Sequence, residues 1–147
     1  MTTAAPLANI ITLGAKDLQR ERDFYDRLGW PLVFESDDFI AFELQGCVLT
    51  LFPVEKLAAD SRASADVRRD GIRFSIIITV NSPEEVDQLS ERVQAAGGSL
   101  TKPPMDAEFF EGRDAYFSDP EGNFWEIAYA PPDNPVSAAS RRAAGLA

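Results

Sequence analysis

The stretch Tyr116-Phe-Ser-Asp-Pro-Glu-Gly-Asn-Phe-Trp-Glu-Ile127 decides the fold. Its centre, Asp119-Pro-Glu-Gly-Asn123, is a turn by composition. Proline presets the bend, glycine accepts a positive φ, and Asp and Asn side chains bond to nearby backbone. The flanks, Asp114–Ser118 and Phe124–Tyr129, are aromatic and β-branched enough to read as the two strands of a hairpin. Working back from them, Ser99–Lys102 is another short strand, and Gly97-Gly98 stops a helix. That helix starts at Ser82-Pro83-Glu84-Glu85, with serine as cap, proline in the first turn and acids at the positive helix end. Val86, Leu89 and Val93 form its apolar stripe, and Arg73–Val80 before it is a buried strand. Residues 72–131 therefore read β-α-β-β-β.

The first half repeats this order. Asn9–Ala15 is a strand, Asp17 a helix cap, and Leu18–Leu28 a helix ended by Gly29. Leu18, Phe24, Tyr25 and Leu28 face the core, with Arg20, Glu21 and Arg22 expected outside. Strands at Pro31–Glu35, Asp38–Leu44 and Cys47–Phe52 complete a first module over residues 7–53. A linker over 54–71, with a helical turn at Glu55–Asp60, is expected to be exposed and mobile. The tail over 132–147 is expected to be loosely held.

The repeat has a register. Seven residues before the caps Asp17 and Ser82 stand Ile10 and Ser75, and four after Gly46 and Gly122 stand Thr50 and Glu126. Duplication of this kind implies a pseudo-two-fold axis with a cleft between the halves.

Two stretches carry a family resemblance: Ile10-Ile-Thr-Leu-Gly-Ala-Lys-Asp-Leu18 with Asp23-Phe-Tyr-Asp-Arg-Leu-Gly29, and the closing hairpin Tyr116–Ile127. With the helix from Ser82, the chain over residues 7–131 resembles the vicinal-oxygen-chelate superfamily of glyoxalases, bleomycin-resistance proteins and extradiol dioxygenases. The resemblance implies an α+β fold in which two tandem βαβββ modules form a curved, eight-stranded mixed sheet around a cleft, often completed or stabilised by a homodimer. It also implies that the metal-ligand positions of metal-dependent members fall at Ile10, Thr50, Ser75 and Glu126. Only Glu126 among these binds a metal well, whereas a catalytic site asks for three or four strong ligands. The fold and the cleft are therefore expected here, and neither a metal nor any other cofactor is.

Composition narrows the chemistry further. The chain of 147 residues contains no histidine, which removes the commonest general base and transition-metal ligand. Its one cysteine, Cys47, allows no intrachain disulfide and is expected to be a buried, inert thiol. A formal net charge of −10 argues against nucleic acid and anionic membranes as partners and favours a cationic small-molecule ligand. No apolar run is long enough to span a bilayer, and Met1–Pro6 lacks the basic and apolar regions of a secretory signal, so a cytoplasmic protein is expected.

Strand alternation selects the cleft. Ser75 brings Ile77 and Thr79, with Phe74, Ile76, Ile78 and Val80 packed on the helices. Glu126 brings Phe124 and Ala128, with Trp125 and Ile127 behind; Thr50 brings Val48 and Phe52; Ile10 brings Thr12 and Gly14. The loop aromatics Phe109 and Phe110 can stack on a ligand or plug the cleft mouth. Trp30, Phe34, Phe39 and Phe42 are expected in the core, and Arg73 and Arg113 at the surface or in salt bridges. The expected ligand-binding set is Thr12, Thr50, Phe52, Ser75, Ile77, Phe109, Phe110 and Phe124, with Glu126 as the one candidate catalytic residue. Three functions fit: a metal-free small-molecule-binding protein, a metal-independent lyase or isomerase with Glu126 as base, and a glyoxalase- or dioxygenase-like metalloenzyme, against which the ligand positions argue.

Overall fold

The computed structural model describes residues 8–66, 72 and 74–146. Its elements run β1 (Ile10–Ala15), α1 (Leu18–Arg27), β2 (Leu32–Glu35), β3 (Ile40–Leu44), β4 (Cys47–Pro53), α2 (Val54–Ser61), β5 (Ile76–Thr79), α3 (Pro83–Ala96), β6 (Ser99–Asp106), β7 (Arg113–Ser118), β8 (Phe124–Tyr129) and α4 (Pro135–Ala143). The eight strands divide into two four-stranded sheets, β1-β4-β3-β2 and β5-β8-β7-β6. In each sheet the first strand of the module lies parallel to the last, and the remaining pairs are antiparallel. This is an α+β fold of two βαβββ modules. The inferred duplication holds at the level of single pairs: Thr12 stands beside Thr50 in one sheet, and Ile77 beside Glu126 in the other.

The helix caps form as their residues dictate. Asp17 Oδ1 accepts the Arg20 amide at 3.0 Å, and Ser82 Oγ accepts the Glu85 amide at 3.2 Å. Gly97 closes α3 at φ 106°, and a side chain at Gly98 would collide with Val93 and Phe24. That clearance lets the end of α3 sit against α1.

The two modules share one core. Leu49 and Leu51 from one sheet, Trp125 and Ile127 from the other, and Phe24, Tyr25, Val86 and Val93 from α1 and α3 are all essentially inaccessible to solvent. The Phe24 and Phe117 rings lie 6.4 Å apart, Tyr25 and Trp125 6.0 Å, and Trp30 and Trp125 5.3 Å. The sheets thus meet back to back through their helix-bearing sides. By alternation, the face carrying Thr50 and the face carrying Glu126 turn outward, away from the shared core. Within one chain the expected cleft is therefore two separate sheet faces. Each is covered in part by the helix that follows its module. Val54 and Leu57 of α2 pack over Gly14, where a side chain would meet Val54 at 3.0 Å, and α4 lies over Thr79 and Ala128.

Several expectations are corrected. Residues 135–143 of the tail are helical rather than loose, because Asn134 Oδ1 accepts the Val136 and Ser137 amides and Pro135 occupies the first helical turn. Strand β6 runs past Pro103-Pro104 to Asp106 because it is an edge strand with two register shifts, where missing amides are tolerated. Strand β5 begins at Ile76, so Phe74 precedes the sheet and is 61% exposed rather than packed on the helices. Phe34, expected in the core, is 53% exposed on the outer face. Glu21, expected outside, is fully buried. It stands three residues after Leu18 and four before Tyr25, on the same helical face. Arg73 lies outside the described residues.

Candidate functional site

The closing turn proves to be the seam between the modules. Asp119 Oδ1 accepts the Glu121 and Asn123 amides, each at 2.9 Å, which ties the turn to itself. Asp119 Oδ2 accepts the Tyr25 hydroxyl at 2.7 Å and the Asn123 side-chain amide at 2.8 Å. Tyr25 Oη in turn accepts the Trp125 indole N–H at 3.0 Å. The Glu121 carboxylate reaches across to the Lys16 and Asp17 amides at 3.1 and 2.9 Å, just ahead of α1. Glu21, beside this network, accepts from Asn123 at 3.0 Å. Burial, with the neighbouring Asp119 carboxyl next in size, pushes Glu21 up to about 10, so it is a neutral acid at neutral pH. This assembly ties the closing turn of the second module to α1 of the first.

On the outer face of the second sheet, Glu126 forms the floor of a cavity of about 350 Å³. Ile77 and Thr79 from β5, Ala128 from β8 and Phe110 from the β6–β7 loop line it, and α4 closes it with Asn134, Val136, Ser137 and Ser140. Glu126 is 7% exposed and accepts the Tyr116 hydroxyl on Oε1 at 2.9 Å. Beside it Asp114 accepts Lys102 Nζ at 2.8 Å. Burial raises the Glu126 carboxyl above its ordinary range; the bond from Tyr116 opposes the rise, and hydrogen bonding with Asp114 adds to it. Burial and the bond to Glu126 push the Tyr116 phenol up to about 12. Glu126 and Tyr116 together therefore form a carboxyl–phenol pair at the bottom of an apolar chamber.

The outer face of the first sheet is different. Thr50 donates to the Ile11 carbonyl at 3.2 Å, which leaves it to accept from Thr12 at 2.7 Å. Phe52, Phe39 and Phe34 form an aromatic row, with ring centroids 5.8 and 6.2 Å apart along it.

The expected site residues thus separate into groups. Ile77, Phe110 and Glu126 meet in the cavity. Thr12, Thr50 and Phe52 lie together on the other sheet. Ser75 precedes β5, Phe124 stands at the far end of β8, and Phe109 is 95% exposed; none of the three lines the cavity. Arg113 is salt-bridged as expected, to Asp87 at 2.8 Å, and Cys47 is half-buried, with burial raising its thiol. Asp114 and Lys102 escaped the sequence reading, although Asp114 and Tyr116 alternate onto the Glu126 face of β7 and were findable by the same rule. The α4 wall was signalled by Asn134-Pro135.

The positions at which the family resemblance places metal ligands do not fit a metal here. Ile10 has no donor atom, the Thr50 hydroxyl is engaged by Thr12 and Ile11, and the Glu126 carboxyl is bonded by the Tyr116 hydroxyl. Among the described residues no three His, Cys, Asp or Glu side chains are grouped to hold an ion. Nor is any helix among them long and apolar enough to cross a membrane.

No curated protein matches the chain. Among solved structures, a glyoxalase-related enzyme from Fulvimarina pelagi is 34% identical with a TM-score of 0.76, over 84% of this chain and 88% of that one. A glyoxalase/bleomycin resistance protein/dioxygenase from Nocardioides is 27% identical with a TM-score of 0.75, over 90% of this chain and 89% of that one. A lactoylglutathione lyase from Agrobacterium tumefaciens, 23% identical with a TM-score of 0.61 over 83% and 92% of the two chains, shares the fold. The sequence profile of the Glyoxalase/Bleomycin resistance protein/Dioxygenase superfamily matches residues 8–127, and with the paired βαβββ modules this places the chain in that superfamily.

Proposed function

We propose that this protein is a metal-independent small-molecule-binding protein of the glyoxalase/bleomycin-resistance type, with the Glu126 cavity as its ligand chamber. The observation that carries the reading is the cavity itself: apolar walls, one aromatic ring and a single carboxyl at the floor. The donor set at the family's metal positions supports the metal-independent part. A thermal-shift screen of small organic ligands tests the reading, because a ligand that binds only the folded chain raises its melting temperature. Stoichiometric zinc or iron in the purified protein would count against it.

A second reading is favoured by one contact. Tyr116 Oη donates to Glu126 Oε1 at 2.9 Å, which pairs a carboxyl able to take a proton with a phenol able to give one. A lyase or isomerase with Glu126 as base needs such a pair. Turnover that is lost in Glu126→Gln while the melt is unchanged would select the enzyme over the binder.

The working unit is a homodimer in this proposal. Strands β1 and β5 have free outer edges among the described residues, and Ile10, Phe74 and Ile77 on or beside them are 66%, 61% and 54% exposed. Unpaired strand edges with apolar side chains are pairing surfaces unless covered. A second copy of this pseudo-symmetric chain offers the complementary edge.

A further inference from the structure

The Glu126 cavity carries more chemical information than its size. Its walls at Ile77, Ala128 and Val136 are apolar, and Phe110 presents a ring. On the α4 side two polar groups are already engaged. Asn134 Oδ1 is occupied by the Val136 and Ser137 amides, and the Ser140 hydroxyl donates to the Ser137 carbonyl at 2.8 Å. No Lys or Arg is among the lining residues. The nearby Lys102 is held by Asp114 at 2.8 Å. The Lys102 ammonium is bonded to Asp114, and the Glu126 carboxyl, which faces the chamber, takes the Tyr116 hydroxyl instead. Asp114, Tyr116 and Lys102 are the titratable groups packed around Glu126, and α4 brings none to the lining.

From this arrangement we infer that the cavity takes an organic amine with an apolar, aryl-sized body, its ammonium group on Glu126 and its body against Phe110, Ile77 and Val136. The inference rests on the binding function proposed above and specifies its ligand class. An anion would meet the Glu126 carboxyl in a cavity whose lining holds no Lys or Arg. A bare metal ion would find one carboxylate where several oxygen or nitrogen ligands are needed. A neutral apolar molecule would leave the Glu126 carboxyl buried without a new partner. An ammonium on an apolar stem satisfies the floor and the walls together, and the chain's net charge of −10 draws cations toward it.

The test is calorimetric titration of the full chain with phenethylamine and, separately, with phenethyl alcohol, which has nearly the same shape and no charge. The amine is expected to bind roughly tenfold or more tightly than the alcohol, the margin of a charge-assisted hydrogen bond. Glu126→Gln should erase that margin and leave the alcohol's affinity within about twofold. Phe110→Ala should weaken both ligands together. Equal or tighter binding of the alcohol by the unaltered chain overturns the amine assignment and leaves the binding function standing. Failure of both ligands to bind at millimolar concentration overturns the binding function as well. The comparison on the unaltered chain decides the matter even where Glu126→Gln does not fold.

Discussion

Glu21 shows how one side chain can set the pH response of a whole protein. Its pKa in the folded chain, about 10, lies far above the ordinary 4.5, chiefly because it is buried and next because Asp119 is beside it. The folded state therefore holds a proton that the unfolded state has released above the ordinary value. The sign follows: Glu21 contributes its full share of stability below about pH 4.5, and that share is lost as the pH rises toward 10. Thermal melts should fall steadily between neutral and alkaline pH, and Glu21→Gln, which keeps a neutral donor at the same place, should flatten that slope. An unchanged slope in the variant would show that the burden lies elsewhere. Tyr25→Phe removes the hydroxyl that bridges Trp125 and Asp119, and should cost about 1–3 kcal/mol in a denaturant titration, since it leaves buried partners unsatisfied. In the sequence, Glu21 belongs outside, because a carboxylate flanked by Arg20 and Arg22 looks like surface. Its burial depends on Asn123 and Asp119, about a hundred residues away, and no local pattern reports such a pairing. Glu126 was legible for the opposite reason: alternation with Trp125 and Ile127 settles its direction within a single strand.

At the scale of elements, most of the architecture could be read in advance because each boundary has a local chemical cause. Ser82-Pro83 starts α3, Gly97 ends it, and β8 was expected over the residues it occupies. Ser82→Ala should cost about 1 kcal/mol by removing the acceptor for the Glu85 amide, measurable as a shift in the denaturant midpoint. The misjudged segments differ in cause. Phe74 has no helix to pack on because β5 starts after it, whereas α4 has a local start in the Asn134 cap and Pro135. No residue of α4 is fully buried, so a chain ended after Pro132 should lose only about 1 kcal/mol or less. The same truncation removes one wall of the Glu126 cavity and should weaken ligand binding far more than it lowers the melt. A large loss of stability with binding intact would reverse that assignment.

For the molecule as a whole, duplication was legible and the arrangement of the copies was not. Register counting aligned Thr50 with Glu126, and the strand pairs agree. It could not say whether the two faces look toward each other or apart, since both arrangements satisfy the same alternation. The aromatic contacts at the seam decide for the back-to-back form within one chain. The exposed edges then predict self-association. Light scattering should return twice the mass of a single chain, and Ile10→Lys on the β1 edge should return it to one, with the melt of the separated chains little changed. A single-chain mass for the unaltered protein would sink the dimer.

The stacking of Trp30 on Tyr25 at 5.1 Å, and of Trp125 near both, places the chain's two indoles at one spot. Tryptophan emission from this protein is consequently an optical gauge of a single event, the parting of the two halves. Far-ultraviolet circular dichroism senses the helices and strands within each half. If the halves come apart before either melts, the fluorescence curve will lead the dichroism curve, and the gap between them will measure how far each half stands alone.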